Sequence, residues 1–442
     1  MRRPIQGPAP LRNRNNPWLN QRKNNIYLVT LQRLNQCSGR WFGRLNLVTF
    51  PVIGVVGGGQ LARMMAPPAT ALGFELRVLA EGEDVSAVPA VANAPVGDYK
   101  DLDALLEFSK GVDVLTFDHE HVPTEHLRAL IDAGVNVQPG PDALVNAQDK
   151  LVMRAAIDRL GLPNPEWAAV DSVEELVAFG DKIGWPVVLK TPRGGYDGKG
   201  VRIVDSADDA AGTADWFHAM SPLLAEAKVD FSRELSALVA RTPSGESRAW
   251  PVVHTIQVDG VCDEVIAPAQ NIPLEVAAAA EGAALRIANE LGVTGVMAAE
   301  LFETPGVGAG FLINELAMRP HNTGHWTQDG SITSQFEQHL RAVLDLPLGA
   351  TDAVAPVFVM KNFLGGDNQN LFEAFPMALA YEPAAKVHCY GKSVRPGRKI
   401  GHVNLAGTST SEVDSVRQRA TAVANIIRDG RMPAQTTPEE TE

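Results

Sequence analysis

The chain has 442 residues, 45% of them hydrophobic and 21% charged, with a formal net charge of -13. This is the composition of a soluble globular protein with material for about three domains. No apolar run nears the roughly 18 residues of a membrane span, and the acidic balance argues against a nucleic-acid partner. Cys37, Cys262 and Cys389 are too scattered for a disulfide framework or a zinc site, which fits a cytoplasmic setting.

Residues 1–50 are rich in Arg and Asn, contain no Asp or Glu, and show no folding pattern. They read as a disordered leader, either of the transit type or produced by a start assigned upstream of Val48. From Pro51 an apolar strand runs to Val56, followed by Gly57-Gly58-Gly59-Gln60, a helical pattern over Leu61–Leu72 and a second strand over Glu75–Leu79. This βαβ unit places a glycine turn at a helix N-terminus, where free N–H groups favour a phosphate. Gly57, Gly59 and Ala62, with Glu81 downstream, also satisfy a loose dinucleotide fingerprint, so an oxidoreductase or nucleotide sensor is an alternative. A strand ending at Thr116 delivers Asp118, His119, Glu120 and His121 to a crevice position, with Glu120 the favoured ligand or base.

A helix follows from Gln148-Asp149-Lys150 to Leu160, and a strand ends at Lys190. The loop Gly194–Gly200 (GGYDGKG) is not a P-loop, because its spacing is one residue short and Val201 opens a strand rather than a helix. It reads as a β-loop-β flap offering backbone N–H groups to a triphosphate. Leu224–Asp230 leads into an alternating strand, Phe231–Val239, whose linker suits an adenine edge, with Glu234 placed for a ribose.

Gly295–Glu303 and Phe311–Met318 read as a hairpin around a Gly- and Pro-rich turn. If Glu300 and Glu315 face each other, the midpoint falls at Val307/Gly308, and the two carboxylates share one face. A hard cation bridging phosphate oxygens would relieve their repulsion. Alternation points Glu303, the rival ligand, to the other face. The run Ile313–Trp326 (INELAMRPHNTGHW) then concentrates acid, amide, imidazole and guanidinium groups directly after an apolar strand, a pattern suited to ligands rather than to a core.

Taken in order, Lys150, Lys190, GGYDGKG, EAKVDFSREL, MAAELFE and INELAMRPHNTGHWTQ resemble the ATP-grasp superfamily, and within it the 5-(carboxyamino)imidazole ribonucleotide synthases of purine biosynthesis. The resemblance covers about Val52 to Leu405 and includes GGGQLARM and RPGRKIGHVN. It implies a mixed α/β and α+β fold with three parts: a Rossmann-like unit over 51–147, an ATP-grasp unit over 148–345 and a small β-rich unit over 346–430. A tail, 431–442, remains. The implied reaction carboxylates the amine of 5-aminoimidazole ribonucleotide with bicarbonate and ATP, through carboxyphosphate.

The resemblance also implies site residues. Lys150, Lys190, Gly195, Tyr196, Asp197, Gly198, Lys199, Gly200, Val201, Asn314 and Glu315 would surround the ATP phosphates. Glu226, Ala227, Lys228, Val229, Glu234 and Gln257 would hold the nucleoside, and Glu300 with Glu315 would hold two Mg2+, or Mn2+ in their place. Tyr196, Asp197, Lys199, Arg319, His321 and Asn322 would serve the carboxylation, with Asp197, His321 or the departing phosphate as base. Gly59, Gln60, Glu120, Lys392 and Arg398 would bind the ribonucleotide. A homodimer acting on small molecules is expected, with another ATP-dependent ligase acting on a different amine as the second alternative. Asp118 and Met318 depart from the family's usual Glu and Pro.

Overall fold

The strand β1 (Val52–Val56) is apolar throughout because both its faces are covered. Ile53 and Val55 pack on the helix Gln60–Leu72, while Val56 joins Leu115, Phe117, Leu127 and Leu130 on the other side. Burying each such side chain stabilises the fold by about 1.5–3 kcal/mol. Strands β2 (Glu75–Leu79) and β3 (Val114–Phe117) flank β1 in a parallel sheet of order β2-β1-β3. Since β1 and β3 run in the same direction, their ends bring Gly57–Gln60 beside Asp118–His121. The architecture comes from a computed structural model that describes residues 50–194 and 200–432.

A second, antiparallel sheet contains β4 (Trp167–Val170), β5 (Val187–Lys190), β6 (Val201–Val204) and β7 (Leu223–Ala227), in the order β4-β7-β5-β6. Its core is Val170, Val187, Leu189, Leu223 and Ala225, closed by Leu176 and Phe179 of the helix Val173–Ile183.

The third sheet is the largest. It joins β8 (Arg233–Arg241), β9 (Ser247–Ala249), β10 (Val253–Val258), β11 (Val261–Ala267), β12 (Gly295–Glu303) and β13 (Phe311–Ala317) to β14 (Val357–Leu364), β15 (Lys386–Cys389) and β16 (Lys399–Gly407). The order is β13-β12-β8-β10-β11-β14-β16-β15, with β9 on β8. The sheet therefore continues from the central segment into the C-terminal one, with Val265 of β11 opposite Met360 of β14. Small residues of the helix Leu274–Glu290, among them Ala280, Ala284 and Ala288, let it lie close against one face. The helix Val413–Asp429 covers β14 and β16 through Val416, Val423 and Ile427.

The hairpin has the expected register, with Glu300 opposite Glu315. Beyond that pair Leu301 faces Ile313, which leaves Asn314 as the extra residue of a β-bulge. Gly295 opens β12 with φ of 89°, and a Cβ there would lie 2.7 Å from the His339 ring. Among the described residues no helix is long and apolar enough to cross a membrane.

Candidate active site

A cleft of about 1080 Å³ opens among the three sheets. Of the residues expected at the site, Gly59, Gln60, Glu120, Lys150, Lys190, Val201, Glu226, Ala227, Lys228, Val229, Glu234, Gln257, Glu300, Asn314, Glu315, Arg319, His321, Asn322 and Lys392 all line it. Gly200 and Arg398 do not. The Arg398 guanidinium instead donates to the Ser393 hydroxyl at 2.7 Å, and its neighbour Lys399 lines the cleft. Adjacent side chains leave an extended chain on opposite faces, so only one of the two reaches inward. Gly195, Tyr196, Asp197, Gly198 and Lys199 lie outside the described residues.

The β12–β13 hairpin supplies the acids. The bulge turns the adjacent residues Asn314 and Glu315 both toward the cleft, which a regular strand would not do. Burial, then the neighbouring Glu315 and Glu234 carboxylates, pushes Glu300 up to about 8. Glu303 faces away, as alternation requires, and pairs with Arg233 at 2.7 Å. Lys150 meets Glu315 at 2.8 Å. Among the described residues no group of three or more His, Cys, Asp or Glu side chains could hold a metal. Glu300, Glu315 and the Asn314 amide face one cleft, and so small a set of oxygen donors suits a hard cation that takes the rest of its shell from phosphate oxygens, as magnesium does.

On the small sheet, Lys190 lies 2.7 Å from Glu226 and 3.5 Å from Oδ1 of Asn314. Burial alone would raise the Glu226 pKa, but the Lys190 and Arg154 charges outweigh it and hold the carboxyl below its ordinary value. The Glu226 side chain is therefore committed to two cations, and the segment Glu226–Val229 lines the cleft. Glu234 is raised by burial, partly offset by a hydrogen bond with Gln257. Phe231 and Phe302 stack at the same wall with centroids 4.5 Å apart.

Arg319, His321 and Asn322 follow β13 into the cleft. Arg319 donates to Glu120 at 2.6 Å, and Glu120 also accepts from the Met318 N–H at 3.2 Å. Burial, reinforced by Arg319 and Lys399, pushes the His321 imidazole well below its ordinary value. The ring is neutral at pH 7, with Nε2 3.5 Å from Glu300. The Asn322 amide is buried beside the Cys262 thiol, with no nitrogen or oxygen partner among the described residues, an arrangement that suits a small polar ligand.

At the end of β1, Gly59 is required by close approach: a Cβ there would overlap the Asp118 carboxylate, which caps the helix by accepting from the Ala62 N–H at 2.7 Å. Glu81 accepts from the Gly58 N–H at 2.8 Å, so the acid of the dinucleotide alternative is folded into the turn itself. Lys392 reaches across from the C-terminal segment to the Gln60 amide oxygen. Two contributors were not apparent from the sequence. Arg154 is fully buried behind Glu226, and Phe302 became legible only once it was paired with Phe231.

Three family models match in chain order: a ribonucleotide synthetase preATP-grasp domain over residues 50–148, an ATP-grasp domain over 155–336, and a phosphoribosylaminoimidazole carboxylase C-terminal domain over 359–416. An N5-carboxyaminoimidazole ribonucleotide synthase of Mycobacterium bovis is 51% identical over 385 residues, covering 86% of this chain and 89% of the relative. One from Corynebacterium ammoniagenes is 50% identical over 404 residues, covering 90% and 97%. The crystal structure of N5-carboxyaminoimidazole synthase from Aspergillus clavatus, in complex with ADP and 5-aminoimidazole ribonucleotide, superposes with a TM-score of 0.77 at 30% identity, covering 85% of this chain and 99% of that one. By its fold, its cleft and these matches, the chain belongs to the N5-carboxyaminoimidazole ribonucleotide synthase family of ATP-grasp ligases.

Proposed function

We propose that the cleft carboxylates the exocyclic amine of 5-aminoimidazole ribonucleotide, using ATP and bicarbonate. A bicarbonate oxygen attacks the γ-phosphorus, the bond to the bridging oxygen breaks, and ADP leaves. The amine nitrogen then attacks the carboxyl carbon of carboxyphosphate, phosphate departs, and the nitrogen loses a proton. The ADP and ribonucleotide complex of the Aspergillus neighbour supports this choice of ligands.

The residues divide by charge. Lys150 and Lys190 neutralise the ATP phosphates, and the segment Glu226–Val229 with Glu234 receives the nucleoside. Glu300, Glu315 and Asn314 would hold magnesium, or manganese in its place, which would neutralise charge on the transferring phosphoryl group. Arg319, Lys399, His321 and Asn322 surround the bicarbonate, where guanidinium and ammonium groups suit an anionic intermediate. Gln60, the Gly59 turn and Lys392 bind the ribonucleotide phosphate, and Glu120 orients Arg319. The proposed setting is a cytoplasmic homodimer working on small molecules.

The observation that carries this reading is the Glu300–Glu315 pair sharing one cleft with Lys190 at the end of the small sheet, Lys150 at the start of a helix and the glycine turn that follows β1. The test is ADP release by the full chain with magnesium and bicarbonate, with and without aminoimidazole ribonucleotide. Strong stimulation, with label from bicarbonate in an acid-labile product, is expected. Release indifferent to the ribonucleotide would overturn the substrate assignment. Glu315→Gln is expected to abolish turnover, and near-normal ADP release from it would remove the metal assignment.

A further inference from the structure

Arg154 is completely buried and does not line the cleft. It lies one turn after Lys150 on the helix Lys150–Arg159, so Lys150 reaches the ligand space while Arg154 lies behind it. Its Nε–H donates to Glu226 at 2.5 Å, Nη1 donates to the Ile313 carbonyl at 2.7 Å and to Asn164 Oδ1 at 2.9 Å, and Nη2 donates to the Asn314 carbonyl at 2.9 Å.

Those two carbonyls belong to the bulge. In a regular edge strand successive carbonyls point to opposite sides, whereas here both turn to a single guanidinium on the open side of β13. The other oxygen of Glu226 takes Lys190, and Lys190 approaches the Asn314 side chain. The contacts therefore close a ring from the Asn314 backbone through Arg154, Glu226 and Lys190 back to the Asn314 amide. This ring ties the small sheet to the large one at the point where the phosphates are proposed to sit. Two cations against one carboxylate leave it with a surplus positive charge.

We infer that Arg154 is a positioning residue for the nucleotide phosphates: it holds the β13 bulge in shape and, through Glu226, sets Lys190 at a fixed spacing from Asn314 and Glu315. The inference rests on the nucleotide site proposed above and is independent of the second substrate.

Arg154→Lys keeps the charge, but one ammonium cannot serve four acceptors in a planar fork. In the full-length enzyme the Kd for ADP, by calorimetry, and the KM for ATP are each expected to rise at least about tenfold, with the ribonucleotide KM within about twofold. A purely structural role would lower the Tm and the active fraction and leave both nucleotide constants within about twofold of wild type, which would overturn the inference. Glu226→Gln keeps the shape and removes the charge, and it decides the matter if Arg154→Lys does not fold. An ADP Kd raised about fivefold or more supports the ring, and an unchanged one overturns it. When both variants fold, their effects should not multiply in the double variant, since both cut the same ring. ADP binding requires no ribonucleotide, so a wrong substrate would show only as wild-type turnover indifferent to it.

Discussion

Without a cation, Glu300 keeps its proton at neutral pH, because burial and the facing Glu315 raise it from 4.5 to about 8. The folded state then binds that proton more tightly than the unfolded chain does. The resulting stability is complete below 4.5, declines as pH rises and is lost above about 8. His321, His325 and His402, held neutral by burial, act in the opposite direction below their ordinary 6.5, so the clean window is about pH 6.5 to 8. Over that window the ligand-free protein should lose Tm, and Glu300→Gln should flatten the slope. Binding of magnesium and ADP should release a proton and tighten toward pH 8, as calorimetry in two buffers would report. A proton count of zero would exclude Glu300 from the metal shell. The acids were legible in the sequence because a strand fixes their direction and the turn fixes their register. Arg154 was not, since its partners lie 72 and 160 residues away and nothing local marks one arginine of a helix for complete burial.

At the scale of elements, the β1–turn–helix unit and the β12–β13 hairpin carry the site for different reasons. The sequence shows a glycine turn opening a helix, but what crowds position 59 is a carboxylate from the end of β3, which only the parallel pairing of β1 and β3 brings there. Gly59→Ala should displace Asp118 from its cap on the Ala62 N–H and raise the ribonucleotide KM about tenfold or more, with ADP affinity unchanged. Steady-state kinetics alongside ADP titration would test this, and an unaltered ribonucleotide KM would dissociate the turn from that substrate. In the hairpin the Glu300–Glu315 pairing followed from symmetry about the turn. The bulge did not, because the polar neighbours Asn314 and Glu315 read equally well as one residue on each face, and only the pairing with β12 shows that one of them is extra.

Across the whole molecule, the three segments meet in one cleft, and the largest sheet does not stop at the boundary near residue 345. Short-range patterns cannot reveal such continuity, since the pairing of β11 with β14 joins segments that read as separate units. Truncation after Asp345 should therefore strip β11 of its neighbour, remove Lys392 and Lys399 from the cleft, and yield an aggregating product rather than a smaller working enzyme. Solubility and hydrogen exchange over β10 and β11 would measure it; a monomeric fragment with native protection there would refute it. The same pairing has a consequence during synthesis. The edge of β11 must wait for β14, which is made about 90 residues later. At translation rates of about 5–20 residues per second, a hydrogen-bonding edge stays open on the nascent chain for roughly 5 to 18 seconds. During those seconds the unfinished polypeptide presents an unpaired edge to every neighbouring chain, so crowding among nascent copies is a hazard that the finished protein no longer carries.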